Sequence, residues 1–164
     1  MNKNDLKDDI FNIDEYKNRV HKILAHSYSA YFILFLIGVF FDLLFKFKIK
    51  ILNFSFLVPV GALLIGLSSL LIFWAQSTSR KFNKETLTKE SFCNGPYAYT
   101  RTPTHWGLFF LMLGFGILAN AIFIIISTVI SFLLTKFIYL RKEEAILEKK
   151  YGAPYLEYKK AVKI

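Results

Sequence analysis

Three long stretches of the 164-residue chain contain no Lys, Arg, Asp or Glu, and they constrain its fold more than any other feature. The stretches cover residues 23–41, 51–79 and 102–135, and the charged residues lie in blocks between them. A helix rises about 1.5 Å per residue, so roughly 20 apolar residues can cross the hydrocarbon core of a bilayer. Hydrophobic residues make up 54% of the chain, which excludes a disordered protein. The pattern therefore predicts an all-α, polytopic membrane protein rather than a soluble domain.

The third charge-free stretch is too long for one crossing, because its 34 residues would extend about 51 Å as a straight helix. Gly114, Gly116 and the pair Ala119-Asn120 provide a break, with Asn120 as a candidate N-cap of the following helix. We therefore expect a tight helical hairpin near the C-terminus and about four transmembrane helices in all. Their predicted bounds are about 23–45, 52–76, 104–117 and 121–140.

The basic residues predict how these helices are oriented. With four crossings, both termini and the 77–103 loop lie on one side, which carries 18 Lys and Arg residues against 3 on the other. The positive-inside rule predicts that the side with 18 basic residues is cytoplasmic. The expected membrane is the plasma membrane, or the inner membrane in a bacterium. Residues 1–22 are predicted to be a cytosolic or interfacial segment, and residues 23–164 a single membrane domain. Because the basic residues flank apolar runs, anionic lipid explains the net charge of +9, and nucleic acid is not an expected partner.

Residues near the ends of the spans give further expectations. Asp42 is predicted to snorkel from the end of the first span. The fourth helix is predicted to continue beyond Lys136 as far as Gly152, which places Glu143 about 10 Å above the membrane-embedded part. The histidines have no zinc-ligand spacing with the lone Cys93, so no metal site is predicted.

Residues 94–107 place a Gly-Pro turn, several aromatic residues and Arg101 at the predicted start of the third helix. Pro103 suits the first helical turn, because that position needs no backbone donor. Backbone N–H groups at a helix start, together with Arg101, can bind an anion. The alternative interpretation is an interfacial aromatic belt with a snorkelling arginine.

Residues 141–158 place two adjacent carboxylates, Glu143 and Glu144, at the membrane surface. Glu144 interrupts an apolar stripe, which favours a binding role, whereas Glu148 and Glu157 are predicted to lie on a solvated face with i,i+4 pairs. A carboxylate among aromatic side chains suits the hydroxyl or ammonium groups of a ligand. The aromatic side chains themselves can face a sulfonium or ammonium through cation–π attraction.

These two stretches read G-P-Y-A-Y-T-R-T-P-T-H-W-G and R-K-E-E-A-I-L-E-K-K-Y-G-A-P-Y-L-E-Y. The first resembles the G-P-Y-x-Y-x-R-H-P-x-Y-x-G signature of the isoprenylcysteine carboxyl methyltransferase and phospholipid methyltransferase superfamily, and the second is similar to its terminal E-E-x-x-L-x-x-x-F-G-x-x-Y-x-x-Y block. The resemblance implies an integral-membrane enzyme that moves a methyl group from S-adenosyl-L-methionine to a lipid-like acceptor, such as a prenylcysteine-type carboxylate. It also implies that blocks 89–107 and 139–158 form one cytosol-facing cofactor pocket, which the substrate reaches from between the helices.

Carried over by position, the resemblance assigns roles to individual residues. The implied catalytic or substrate-side residues are Arg101, His105 and Arg141. The implied cofactor contacts are Phe92, Tyr97, Thr102, Pro103, Thr104, His105, Glu143 and Glu144. The chain departs from the signature at Thr102, where the family has His, and at His105, where it has Tyr. The first alternative to an active enzyme is therefore a protein that kept this fold and lost the methyl-transfer activity.

Two other functions fit parts of the pattern. Membrane reductases of the sterol and steroid type have a similar R-H-P-x-Y block and bind NADPH, but this chain lacks a recognisable basic cluster for the 2′-phosphate. A small non-catalytic scaffold or lipid-binding protein would bind no cofactor at all. If the chain is a methyltransferase, catalysis depends mainly on aligning the acceptor, the methyl carbon and the sulfur, and less on acid–base chemistry. His105 is the candidate base for an amine or hydroxyl acceptor. Carboxylate, amine and thiol acceptors, and any oligomeric state, are all compatible with the sequence.

Overall fold

The computed structural model describes residues 3–45, 54–80 and 92–162, and within these ranges the chain forms helices joined by short turns, without a strand. The predicted all-α fold is confirmed. In chain order the elements are α1 (Lys3–Phe45), α2 (Phe54–Ser79), a 3₁₀ turn (Gly95–Ala98), α3 (Pro103–Leu118), α4 (Ile122–Leu134), a π-helical turn (Thr135–Tyr139), α5 (Leu140–Tyr151) and α6 (Ala153–Ala161).

Among the described residues, three helical segments are long and apolar enough to cross a membrane, namely Lys22–Phe45, Ser55–Ser79 and Ile122–Lys149. The apolar helix α3 is shorter, with 16 residues. Large hydrophobic side chains are exposed on the outside of these helices, for example Phe73 of α2 at 72%. Such a surface suits lipid and not water, so this is a polytopic α-helical membrane protein. The number of crossings and the sides of the termini stay predictions.

Helix α1 is continuous over 43 residues, a length of about 65 Å. It does not break between residues 22 and 23, where the sequence separates an N-terminal segment from the first span. Only the part from Lys22 onward is apolar enough to cross a membrane. The N-terminal segment is therefore a helical extension of the first span, and its interfacial position stays a prediction.

The predicted hairpin is present, with its turn between α3 and α4. The N–H of Asn120 donates to the Ile117 carbonyl at 3.0 Å, and the N–H of Ala121 donates to the Gly116 carbonyl at 2.9 Å. These are the two bonds of a Schellman motif, and Asn120 takes its left-handed position with a φ of 52°. The expectation that Asn120 is the N-cap of α4 is wrong, because Asn120 closes α3 and Ala121 is the N-cap.

The N-terminus of α4 is capped from another helix. The two carboxylate oxygens of Asp42 on α1 accept hydrogen bonds from the backbone N–H groups of Phe123 at 3.2 Å and Ile124 at 2.9 Å. The N-cap Ala121 has no polar side chain to offer these donors. Asp42 therefore does not snorkel as predicted. It satisfies two donors at a helix start, where its charge also complements the helix dipole.

We expect Asp42→Ala to destabilise the hairpin, because both acceptors at the start of α4 disappear. Losing a helix cap typically costs about 1–2 kcal/mol. Thermal unfolding of the purified protein in detergent, followed by circular dichroism, measures this loss. Leu43→Ala is the control, since the neighbouring Leu43 side chain is exposed and should matter little. Equal losses in the two variants would argue against the cap.

Helices α2 and α3 pack backbone against backbone at two glycines. A Cβ added to Gly61 would lie 2.8 Å from the Gly114 carbonyl oxygen and 2.9 Å from the Leu118 backbone nitrogen. A Cβ added to Gly114 would lie 3.0 Å from the Gly61 carbonyl oxygen. Small residues allow such close approach between membrane helices. The contact sets the position of α3, and hence of its N-terminus, relative to α2.

We expect Gly61→Ala to destabilise the protein and Gly66→Ala to be tolerated. At Gly61 the new methyl group meets backbone atoms, and overpacking of this kind typically costs about 1–3 kcal/mol. At Gly66 the new methyl group meets nothing within 4 Å. The two variants differ only in position along the same helix, so their thermal midpoints in detergent can be compared directly. A midpoint for Gly61→Ala equal to that of Gly66→Ala would contradict the close packing.

The fourth apolar helix continues beyond the hairpin, as predicted. Helix α4 passes through the π turn into α5 without leaving helical geometry at Leu134 or Leu140. Helix α5 then ends at Tyr151, followed by Gly152 with a φ of 60°. Helix α6 folds back on α5, and α1 also contacts α5. The start of α3 and the charged residues of α5 consequently meet at one end of the helical bundle.

Candidate functional site

A cavity of about 250 Å³, here called the main cavity, lies at this end of the bundle. Both polar stretches of the sequence contribute to it, and residues of α1 and α2 close its other sides. Its lining residues are Leu24, Tyr28, Gln76, Ser79, Phe92, Tyr97, Arg101, Thr102, Pro103, Thr104, His105, Glu143, Leu147, Tyr151, Tyr155 and Tyr158. Two stretches that are far apart along the chain thus surround one space.

The start of α3 forms one wall of the main cavity. Pro103 occupies the first turn of the helix and is almost completely buried, which fits its lack of a backbone donor. Thr102 is the N-cap residue, and its own side chain does not cap the helix. Within the described part of the chain, the N–H groups at Thr104 and His105 therefore lack the usual side-chain acceptor. Because both residues line the cavity, this helix start presents partial positive charge to it.

Arg101 and Glu144 form an ion pair beside the main cavity. Arg101 Nη1 lies 2.7 Å from Glu144 Oε1, at angles that differ from those of a regular hydrogen bond, and the two side chains are 16 and 14% exposed. Lys159 of α6 lies 3.0 Å from the other oxygen, Oε2, and also pairs with Glu148. The buried Nε of Arg101 has no hydrogen-bond partner within the described residues. Two cations thus hold Glu144, while Arg101 keeps a donor available to a ligand.

His105 and Glu143 form a second, looser pair that faces the cavity. His105 Nε2 lies 3.7 Å from Glu143 Oε2. His105 is 5% exposed, and its ring packs against Tyr28 and Tyr31 of α1 with centroid distances of 5.9 and 6.3 Å. Its Nδ1 atom is buried without a hydrogen-bond partner among the described residues. A buried imidazole next to a carboxylate is suited to accept a proton from a ligand.

Aromatic residues of α6, together with Phe92, form one side of the main cavity. Phe92, Tyr155, Tyr158 and Val162 form a buried cluster, and the Phe92 and Tyr158 ring centroids lie 5.5 Å apart. The Tyr158 hydroxyl donates to the Tyr97 backbone carbonyl at 2.9 Å. Burial raises the pKa of Tyr97, Tyr155 and Tyr158, because a phenolate would lose its hydration there. These side chains are therefore neutral walls of the cavity near neutral pH.

The raised pKa values predict that stability falls at alkaline pH. A tyrosine whose pKa is higher in the folded than in the unfolded protein contributes fully to the stability of the fold at pH values below its unfolded-state pKa of about 10. That contribution is lost as the pH rises through the pKa of the folded state. Hydrogen bonds to Glu148 and Glu144 also raise the pKa of Lys159. The contribution of Lys159 to stability is therefore also lost as the pH rises. Thermal midpoints should thus fall above a pH of about 10, and less steeply in Tyr158→Phe. A midpoint that fell equally steeply in Tyr158→Phe would contradict this assignment.

Two further spaces adjoin the main cavity. A second cavity of about 160 Å³ shares Arg101, Thr102 and His105 with it. The remaining lining residues of the second cavity are Trp106, Phe132, Thr135, Lys136 and Leu140. An apolar groove of about 480 Å³ between α1, α2 and α3 shares Tyr28 with the main cavity. The polar site therefore lies next to surfaces that an apolar molecule can contact.

Residues 56–154, more than half of the chain, match the sequence model of the phospholipid methyltransferase family. The chain belongs to the phospholipid methyltransferase family. The matched region runs from α2 to the beginning of α6 and contains both the start of α3 and the carboxylates of α5. The resemblance seen in the sequence is confirmed, and a membrane methyltransferase is the class of protein it indicates. Comparison with curated proteins and with solved structures finds no match.

In this member of the phospholipid methyltransferase family, most of the predicted site residues line the main cavity. They are Phe92, Tyr97, Arg101, Thr102, Pro103, Thr104, His105 and Glu143. Glu144 lies beside the cavity and contacts Arg101. Arg141 is exposed on α5 and lines neither cavity. The structure thus brings the start of α3 to the two glutamates and leaves Arg141 apart from them.

Several residues that contribute to the site in this family member were not predicted from the sequence. Lys159 binds Glu144 and Glu148 from the next helix, so Glu148 is not merely on a solvated face as predicted. Tyr28 of α1 contacts the His105 ring and lines the main cavity. No pattern in one sequence marks a single tyrosine within a span. The only hint for Lys159 was that it directly follows the terminal block that resembles the family.

Proposed function

We propose that this chain transfers a methyl group from S-adenosyl-L-methionine to a lipid-like acceptor. The observation that carries the proposal is the main cavity, where an ion-paired arginine, a buried histidine and a cavity-lining carboxylate meet at a helix start. Family membership supports methyl transfer as the reaction. The cavity supports a polar cofactor, and the adjoining apolar surfaces support a lipid-like acceptor.

The main cavity offers counterparts for the charged groups and the ribose hydroxyls of S-adenosylmethionine. The Glu143 carboxylate can accept hydrogen bonds from the ammonium group or the ribose hydroxyls. Arg101 and the backbone N–H groups at the start of α3 suit a carboxylate. The rings of Tyr28, Tyr97 and Tyr155 suit a sulfonium through cation–π attraction. We assign the remaining cofactor contacts to Phe92, Thr102, Pro103 and Thr104.

The cofactor, when bound, supplies a methyl group that is already activated, so the protein mainly has to align the acceptor and keep the site dry. The packing of His105 against Tyr28 and Tyr31 limits the access of water to the imidazole. His105 can take the proton of an amine or hydroxyl acceptor, and Glu143 can stabilise the imidazolium that results. Glu144, held by Arg101 and Lys159, positions Arg101 rather than contacting the ligand itself.

The surroundings of the main cavity support an acceptor with a long apolar part. The groove that shares Tyr28 is lined by aliphatic and aromatic side chains of α1, α2 and α3. The second cavity has apolar walls at Trp106, Phe132 and Leu140. A prenylcysteine-type carboxylate is one acceptor of this class, and lipid amines and thiols are others. The excess of basic residues on one side supports a cytoplasmic position for the site and for both termini.

Calorimetry with S-adenosylhomocysteine on the purified protein in detergent tests the proposal. We expect saturable binding at micromolar concentrations and no binding of NADPH, which serves as the control for a reductase. Transfer of a tritiated methyl group to extracted membrane lipids then tests turnover. Saturable binding of NADPH without binding of S-adenosylhomocysteine would replace the methyltransferase with a reductase, and binding of neither would favour a scaffold.

A further inference from the structure

We infer that Tyr31 of α1 is a positioning residue for His105, and that Thr135 of the π turn anchors its hydroxyl. The inference rests on the proposed methyl transfer, in which His105 takes a proton from the acceptor. It adds the device that keeps the imidazole turned toward Glu143. Tyr31, His105 and Thr135 come from three separate helical segments, and each is at most 5% exposed.

The hairpin brings His105 and Thr135 to the same level of the bundle. Each lies 15 residues from Asn120, where the chain turns, and the two arms run antiparallel. Both residues line the second cavity, which agrees with this placement. Thr135 also begins the π turn, since its carbonyl accepts a hydrogen bond from the N–H of Leu140, five residues later. Single π turns within helices occur frequently at functional sites.

Tyr31 contacts both of these residues. Its ring is stacked on the His105 ring, with an interplanar angle of 20° and a centroid distance of 6.3 Å. Its hydroxyl forms a side-chain hydrogen bond with Thr135. An anchored hydroxyl fixes the direction of the ring axis, and close packing around a side chain that is 2% exposed restricts rotation about that axis. Tyr31 therefore offers the imidazole a fixed surface.

The imidazole depends on this surface because its polar contacts are weak. Nε2 lies 3.7 Å from Glu143 Oε2, which is longer than a hydrogen bond. Nδ1 has no hydrogen-bond partner within the described part of the chain. Packing against the tyrosines of α1, rather than a hydrogen bond between described residues, thus orients His105.

The two tyrosines that touch His105 differ in what else they can reach. Tyr28 lines the main cavity, where it can contact a ligand directly. Tyr31 lines neither the main nor the second cavity and contributes only to the apolar groove. The Tyr31 hydroxyl consequently influences a ligand in the main cavity through His105, and Tyr31→Phe leaves the apolar surface of the groove in place. The alternative is a bond that joins two membrane helices without affecting His105.

Labelling with diethyl pyrocarbonate tests the inference on the purified full chain in detergent. The reagent modifies accessible imidazoles, and mass spectrometry of the peptides measures each histidine separately. His26 is exposed and serves as the internal reference. We expect the labelling rate of His105 to rise at least about threefold in Tyr31→Phe and in Thr135→Val, while that of His26 stays unchanged, because the released ring covers the imidazole less well.

Control variants separate the hydrogen bond from other effects of substitution. Thr135→Ser keeps a hydroxyl and should retain the slow labelling of His105. Tyr99→Phe makes the same chemical change at a tyrosine that is 78% exposed and should have no effect. The double variant Tyr31→Phe/Thr135→Val should label His105 no faster than either single variant, because both substitutions remove the same bond.

Single-turnover methyl transfer to dodecylamine and to dodecanoate gives a second readout. The amine needs a positioned base and the carboxylate does not. Tyr31→Phe should therefore slow transfer to the amine at least about fivefold and transfer to the carboxylate less than about twofold. A bond that only stabilised the fold would slow both reactions alike.

Unchanged labelling of His105 in both Tyr31→Phe and Thr135→Val, or a rise that Thr135→Ser shares, would overturn the inference. A parallel rise at His105 and His26 would indicate a general loosening of the fold and would overturn it as well. Binding of S-adenosylhomocysteine is measured on the same samples. If that binding is intact while the labelling is unchanged, only the positioning role is wrong. If the unmodified protein binds none while the labelling follows the expected pattern, the anchoring of His105 stands and the proposed methyl transfer fails.

Discussion

Arg101→Met is expected to lower kcat/KM for methyl transfer at least about 100-fold, because it removes every donor that the guanidinium offers to a ligand, and one hydrogen bond to a charged group typically contributes about 1.5–3 kcal/mol. The guanidinium lines both cavities and lies 2.7 Å from Glu144. Methionine keeps much of the apolar volume of the side chain and removes every donor. Glu144 then retains Lys159 as its cationic partner, so the variant should fold while the site loses its central cation.

Tritiated-methyl transfer with the purified variants measures this effect. Arg101→Lys keeps the charge without the planar donor set and should recover only part of the activity. Arg80→Met, at an exposed arginine that follows α2, is the control and should retain activity. Arg141→Met tests whether Arg141 has the substrate-side role that the resemblance implies. The structure places Arg141 outside both cavities, and a variant that retains activity would agree with that position. Full activity in Arg101→Met with normal thermal stability would remove Arg101 from the mechanism.

His105→Ala is expected to have an effect that depends on the acceptor. An amine or hydroxyl must lose a proton, and a positioned general base typically contributes about 10²–10⁴-fold, so the rate with such an acceptor should fall by that factor. A carboxylate is already ionised at neutral pH and needs no base. The rate with a carboxylate acceptor should fall only about tenfold or less, through the loss of the packing of His105 against Tyr28 and Tyr31.

The measurement compares single-turnover rates with a carboxylate and an amine acceptor of the same chain length. His105→Gln keeps polarity near Glu143 but cannot accept a proton, so it should behave like His105→Ala with the amine and closer to the unmodified protein with the carboxylate. Affinity for S-adenosylhomocysteine in each variant separates loss of cofactor from loss of proton transfer. An equal loss of rate with both acceptors would assign His105 a positioning role instead.

The sequence by itself determined the helices of this protein. The thickness of a bilayer and the rise of a helix are fixed, so the lengths of the charge-free stretches predict the apolar helices. The same arithmetic required the hairpin, which the Schellman turn at Asn120 confirms. The order of the two polar stretches around the hairpin explains why they meet at one end of the bundle. These features depend on local composition and on distance along the chain.

Only the tertiary structure decided which side chains touch. Each residue of a helix is rotated by about 100° from the one before, so Arg141 and Glu143, two positions apart, point in different directions. Asp42 caps α4 from a position 81 and 82 residues away from the groups it binds. The rotation and spacing of the helices follow from contacts such as the one between Gly61 and Gly114. Those contacts depend on all helices at once, and no single stretch of sequence contains them.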